Sequence, residues 1–416
     1  MINTRRRFLL AVTSTVFLQR VAVVANEEFQ DTDRSAGLLW GSLIGDAMGG
    51  PLEFAKPEKR MDRVVGCRAW PKTKQLDDDT IAEIQEREAL ISYAEVRPDA
   101  APYGPWVRNA PAGTITDDSR LKIVLIRAIR DASRQGAPKL IQAHIAKEIV
   151  RFSPLVNEPT DQATRRLLLE GMREYRYAAN WVLGKRDPKD ALPLDRLWAG
   201  VANCSGQMMF LPLAIRFAGR PEDAYRESFE LNFVDSSQAK DICSAIIAGL
   251  ASALGEDADS LTPSERWEKL EQTMRSVDPF RLNSVPFVGR PLDKWLDLVD
   301  SIVERADGRP AVAYKLLETE GKPVYFWDAH FTLLVALTLL KLCNCNTLCA
   351  LHLAIDFGHD TDSYAQLIGA LGGAVGGANV FPLAMRQIVA NRLRADYGEE
   401  VSEWTKVLSA NSGTKG

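Results

Sequence analysis

From about residue 140 onward, apolar positions recur at helical spacing, and segment after segment predicts a helix. The pattern places helices over Leu140–Phe152, Asp161–Leu183, Gly206–Phe217, Pro221–Phe233, Ser237–Leu254 and Thr262–Ser276. It continues with Pro291–Arg305, Arg309–Glu320 and Ala329–Leu342, and ends on a small-residue run from Tyr364 to Val380. Strand-like alternation is scarce. Polar clusters such as Lys185 to Lys189 and Gly255 to Asp259 mark the turns.

Further helices precede this array. The run Ala36 to Phe54 carries Gly37, Gly41, Gly45 and Gly49 at every fourth position, a single glycine stripe on a helix. Each such glycine costs up to about 1 kcal/mol against alanine. The stripe therefore predicts close approach of another backbone. Gly369, Gly373 and Gly377 form a matching stripe late in the chain. Packing the two together would bring Glu53, on the loop after Pro51, towards Asp360. The second helix follows Thr116-Asp117-Asp118-Ser119, from Arg120 to Ile129, and is strongly apolar. Between them, residues 56–112 are irregular and read as a surface insertion with one helix, Thr80 to Glu95.

Asp360-Thr361-Asp362-Ser363 gathers two carboxylates and a hydroxyl at the mouth of an Ala/Gly/Leu-rich run. Oxygen ligands in that arrangement suit a hard divalent cation such as Mg²⁺. Thr116-Asp117-Asp118-Ser119 offers more oxygens than a helix cap needs. A rival acidic turn, Asp77-Asp78-Asp79, precedes a highly charged stretch and reads as surface capping. Buried ionised groups need a partner and surface ones do not, which favours Asp117 and Asp118. The turn Asn203-Cys204-Ser205-Gly206 precedes an apolar helix. It could offer donors to an anion, or simply cap the helix.

Composition sets the wider limits. At 416 residues, 46% hydrophobic and 25% charged, the chain can bury a large core. A net charge of −4 gives no reason to expect nucleic acid. Six cysteines are too few for a disulfide scaffold at this length, and Cys343, Cys345 and Cys349 read as buried thiols or one disulfide. Residues 1–25 pair arginines at Arg5-Arg6-Arg7 with Phe8-Leu9-Leu10 and an apolar run interrupted by Arg20. That resembles a twin-arginine export signal, ending near Val23 and Ala25, and predicts a periplasmic or secreted protein. The run is too short for stable membrane insertion, and a non-functional signal would leave the protein in the cytoplasm.

Taken together, residues 45–54 (Gly-Asp-Ala-Met-Gly-Gly-Pro-Leu-Glu-Phe), 116–119 and 358–363 (Gly-His-Asp-Thr-Asp-Ser) resemble, in that order, the ADP-ribosylglycohydrolase family. The resemblance implies an all-α fold, a single large orthogonal multi-helix domain spanning about residues 30–400, with 401–416 left as a polar tail. It also implies a site of two Mg²⁺ ions, or Mn²⁺. Thr116, Asp117 and Asp118 would bind one metal, and Asp360 and Ser363 the other, with Asp362 bridging. Glu53 and Asp360 would be the catalytic carboxylates. Asn203, Ser205, Gly206, Gly358 and His359 would face the substrate. The implied activity is hydrolysis of an ADP-ribosyl or related ribosyl glycosidic bond, on an ADP-ribosylated protein or a small ADP-riboside. The alternatives are a non-catalytic ADP-ribose-binding member of the same fold and a metal-dependent phosphoester hydrolase.

Overall fold

The two glycine stripes meet. In the computed structural model, which describes residues 33–50, 53–54, 79, 99–100, 104–105, 113–152, 172–284 and 289–410, helix α1 (Arg34–Gly49) runs against a late helix, Thr361–Gly376. Gly37 lies on Gly373, Gly41 on Gly369, Gly45 on Ala365 and Gly49 on Thr361 and Asp362, so the helices are antiparallel. A β-carbon on Gly41 would stand 1.9 Å from the Gly369 carbonyl oxygen. Only glycine permits backbones this close, and the contact offsets the helical cost of the stripe.

The other helices surround this pair. In chain order they are α2 (Asp117–Arg134), α3 (Gln142–Arg151), α4 (Arg173–Val182), α5 (Ser205–Met209), α6 (Leu213–Arg216), α7 (Pro221–Leu231), α8 (Gln238–Leu254) and α9 (Pro263–Ser276). Then come α10 (Pro291–Ala306), α11 (Pro310–Glu320), α12 (Ala329–Leu342), α13 (Thr347–Phe357), α14 (the glycine-striped Thr361–Gly376), α15 (Leu383–Tyr397) and α16 (Val401–Ser409). α8, α12 and α14 are buried almost all round. One hydrophobic core runs from Ala36 to Leu408. The architecture is all-α. The described residues add one antiparallel pairing of two-residue strands, Asp99–Ala100 with Gly104–Pro105. None of the described helices is long and apolar enough to cross a membrane.

Several boundaries differ from the sequence expectation. The helix expected over Gly206–Phe217 is broken into α5 and α6 at Pro212, which has no N–H to continue the ladder. The run Tyr364–Val380 instead starts at Thr361 and ends at Gly376, where Gly377 takes a positive φ of 82°. α13 begins within the cysteine cluster and contains Cys349, and α15 fills residues to which no element was assigned.

The expected polar tail over 401–416 is corrected. Residues 401–409 form α16, with Val401, Trp404 and Leu408 buried at helical spacing beneath a polar outer face. Cys204, Cys243, Cys343, Cys345 and Cys349 are free thiols. The export-signal segment 1–25 lies outside the described residues, as do Cys67 and the whole of the expected Thr80–Glu95 helix. Of the rival acidic turn, Asp79 is described, and it is exposed.

Candidate active site

The site is assembled where α1 ends and α2 and α14 begin. Asp46, one turn before the end of α1, is fully buried. Both its carboxylate oxygens accept from the Thr116 amide at 3.1 Å, and one accepts from the Ser119 amide at 3.1 Å. Thr116 is the N-cap of α2, and its hydroxyl accepts from the Asp118 amide at 3.2 Å. α1 thus holds the acidic turn of α2 by a carboxylate. Asp46 had no role in the sequence reading, although an acid inside an otherwise apolar, glycine-striped helix was a visible signal.

α14 is fastened to α1 in a similar way. The Thr361 hydroxyl donates to the Gly49 carbonyl at 2.7 Å. The Ser363 amide donates to the Asp362 carboxylate at 3.1 Å, and the Ser363 hydroxyl lies 3.5 Å from Asp118 Oδ2. Carboxylates in the first turns of α2 and α14 sit at the positive ends of both helices.

Two sets of carboxylates result. Ligand oxygens of Asp117, Asp118 and Asp362 lie within 4.8 Å of one another, and so do those of Glu53, Asp360 and Asp362. Asp362 belongs to both. The sets join segments more than 300 residues apart, as the glycine stripes required. Glu53, expected as a catalytic carboxylate, also stands among the possible ligands.

The electrostatics of the cluster fit a cation. Asp118 Oδ1 is buried and has no hydrogen-bond partner among the described residues. Burial pushes the Asp118 carboxyl well above the ordinary carboxylate range, and the neighbouring Asp362, Asp46 and Asp117 push it the same way. Lys122 is the nearby positive charge. It is fully buried, donating to the Asp118 carbonyl and to Gln366 Oε1, both at 2.9 Å. Burial lowers its ammonium to about 8, although Asp118 and Asp46 oppose that shift. Among the described residues, Lys122 faces six clustered acids, Asp46, Glu53, Asp117, Asp118, Asp360 and Asp362, and a divalent ion would neutralise the excess of negative charge.

The turn before α5 turns inward. Asn203 Oδ1 accepts from the Ser205 amide at 3.0 Å, and the Ser205 hydroxyl pairs with that of Tyr175 at 3.2 Å. The Gly206 amide donates to Asp235 Oδ1 at 2.8 Å. These groups are occupied within the protein, which favours the capping reading of the turn over the anion-binding one. Cys204, between them, does reach the carboxylates: its sulfur lies 3.6 Å from Ser363 Oγ and 3.9 Å from Asp360 Oδ2.

Gly358 and His359 take positive φ values of 86° and 63° and swing the chain from α13 into α14. The His359 ring stacks on Phe326 at 3.6 Å, and its Nε2 lies 3.0 Å from Glu318 Oε1. Its carbonyl accepts from the Phe54 amide at 2.7 Å, which fixes the loop carrying Glu53.

Sequence reasoning passed over the aromatic run Tyr325-Phe326-Trp327. Trp327 meets Phe54 edge-on at 5.7 Å, and Tyr325 stacks on Trp327 at 4.7 Å. Three consecutive aromatic residues before a helix N-cap were the available signal.

Residues 27–413 match the family model described as ADP-ribosylglycohydrolase. The uncharacterized protein YegU of Escherichia coli (strain K12) is 22% identical over 364 residues, covering 85% of this chain and 91% of its own. A solved structure described as an ADP-ribosylglycohydrolase-related protein complex aligns with a TM-score of 0.50 at 16% identity. That alignment covers 92% of this chain and 98% of the other, a likeness of fold.

Proposed function

Because the chain belongs to the ADP-ribosylglycohydrolase family, a family of hydrolases, we propose that it is a metal-dependent hydrolase of an ADP-ribosyl or closely related ribosyl glycosidic bond. The observation that carries this reading is the convergence of Asp117 and Asp118 from α2, and of Glu53 and Asp360, on the shared Asp362. Thr116, Asp117, Asp118 and Asp362 would hold one Mg²⁺, and Asp360, Asp362 and Ser363 the other. Bound divalent ions would orient the ribose hydroxyls and water and stabilise charge that develops at the cleaved bond.

The chain's own groups supply the rest. Glu53, on a loop pinned through Phe54 to His359, takes the proton of the attacking water. Asp46 holds the α2 turn in register, so that Asp117 and Asp118 meet Asp362 without rearrangement. The Thr361 hydroxyl does the same for α14. Such prior positioning is what hydrolysis through fixed charges requires.

The test is release of ribose or ADP-ribose from a panel of ribosyl substrates with Mg²⁺ present. Activity should vanish in EDTA and in Asp362→Asn. Full turnover in EDTA would overturn the reading, and binding of ADP-ribose with no turnover on any substrate would favour a non-catalytic member.

A further inference from the structure

We propose that Phe54, Trp327 and Tyr325 form the subsite for the leaving group, and that this group is a flat heteroaromatic ring. The substrate class is then N-ribosides of nucleobase-like rings. This rests on the hydrolase reading above and narrows it.

The first argument is position. Phe54 follows Glu53 directly, and the Glu53 carboxylate belongs to the set shared with Asp360 and Asp362. Trp327 touches Phe54, and Tyr325 touches Trp327. A ring held there lies beside the carboxylates, as a group attached directly to the anomeric carbon must. A ring separated from that carbon by a ribose and a diphosphate would lie further out.

The second argument is shape. Phe54 and Trp327 stand at 84° to each other and make a corner, while Tyr325 and Trp327 are within 12° of parallel. A flat ring set in the corner stacks on one wall and meets the other edge-on, and both are favourable aromatic geometries. The smaller guanidinium of an arginine linkage would fill less of it.

The third argument is rigidity. The aromatic strip is held at several points. Asp328 accepts from the Val324 and Tyr325 amides at 2.7 and 3.3 Å. The Tyr364 hydroxyl donates to the Phe326 carbonyl at 2.6 Å, and the Cys204 amide to the Trp327 carbonyl at 3.0 Å. α14 and the Cys204 turn, which both reach the carboxylates, thus hold the shelf. Even so, Tyr325 stays 43% exposed and Val324 77% exposed. A fixed aromatic surface left in water beside a catalytic cluster suits a ligand ring.

The reaction balances as a simple hydrolysis. The bond from the anomeric carbon to the ring nitrogen breaks, and its electron pair leaves with the ring. Water oxygen bonds to the anomeric carbon, one water proton ends on the departing nitrogen, and free ribose and free base result.

The experiment compares purine and pyrimidine ribosides with methyl riboside and ADP-ribosyl-arginine, in Mg²⁺, for the wild type, Tyr325→Ala, Trp327→Ala and Trp327→Phe. The alanine variants should lose about tenfold or more in kcat/KM on the ring ribosides, chiefly through KM. Methyl riboside should change little, and Trp327→Phe should restore most of the loss. Calorimetry with a free purine, which needs no catalysis, should show binding weakened in the same order. Equal losses on all substrates, or a wild-type preference for the arginine linkage, would overturn the subsite. Turnover of no riboside by the wild type, with purine binding intact, would instead sink the hydrolase reading and leave the ring site standing.

Discussion

A β-carbon on Gly41 would lie 1.9 Å from the Gly369 carbonyl oxygen, and one on Gly369 would lie 1.9 Å from that of Gly41. No side-chain adjustment relieves this, because both offending atoms are backbone. Gly41→Ala must push α1 and α14 apart. Overpacking of this kind costs about 1–3 kcal/mol, and here it also shifts α14, which carries Asp362. The expected outcome is a lowered melting temperature together with a weaker Mg²⁺-induced rise. A variant with normal metal response would show that helix spacing does not set the site.

Metal should stabilise the fold and remove a built-in repulsion. Any ligand of the native state stabilises it, by about 2.7 kcal/mol at one hundred times its dissociation constant, and so raises the melting temperature. Asp118→Asn removes one of the buried acids crowded against Asp362, Asp46 and Asp117. In EDTA the variant should therefore melt higher than the wild type, and Mg²⁺ should give it little further gain. Differential scanning calorimetry with and without Mg²⁺ reads both effects. A wild type indifferent to Mg²⁺ would count against the metal site itself.

Much of this site was legible because short-range rules wrote it. The glycine period predicted the α1–α14 contact, and the acidic turns at 116–119 and 360–363 announced themselves by oxygens in excess of capping need. Asp362 as the shared carboxylate followed from the family resemblance, and the geometry has it in both sets. Other parts depended on three-dimensional partners. Nothing local says that Gly206 would be met by Asp235, so the turn at Asn203 read equally as an anion site or a plain cap. Asp46 looked like a helix residue until its two amide partners, some 70 residues away, were in place. The α16 stretch, 401–409, mixes polar residues among its apolar ones. Its buried face of Val401, Trp404 and Leu408 is narrow enough to be mistaken for a tail.

Away from the site, Arg290 and Asp241 form a buried pair. Arg290 Nη2 donates to Asp241 Oδ1 at 2.8 Å and its Nε to both oxygens at 3.0 Å, while the Tyr225 hydroxyl also donates to that carboxylate. Removing one member strands a buried charge. Arg290→Met should cost about 3–5 kcal/mol, read as a fall in the urea midpoint at unchanged slope. The double variant Arg290→Met, Asp241→Leu should recover part of it. A single variant as stable as the wild type would mean that the pair is not held as a unit.

Glu399 gives the fold a defined acid sensitivity. It is buried, and burial alone would raise its carboxyl. Hydrogen bonds from Arg130 at 2.8 Å, Arg127 at 2.8 Å and Trp404 at 2.9 Å together outweigh that, and hold it below its ordinary value of 4.5. A carboxylate whose folded pKa is depressed contributes stability that is complete above its unfolded value and lost as pH falls through the folded one. The contribution of Glu399 is therefore present at neutral pH and is lost as pH falls below 4.5 and through its depressed folded value. Glu399→Gln keeps the shape and removes the charge. It should cost about 2 kcal/mol at pH 7, the scale of a charge-assisted hydrogen bond, and the gap to wild type should close as pH is lowered towards 3. Melting curves of both proteins from pH 7 to pH 3 provide the check. A gap that stays constant across that range would show that the Glu399 charge carries none of the docking of α16.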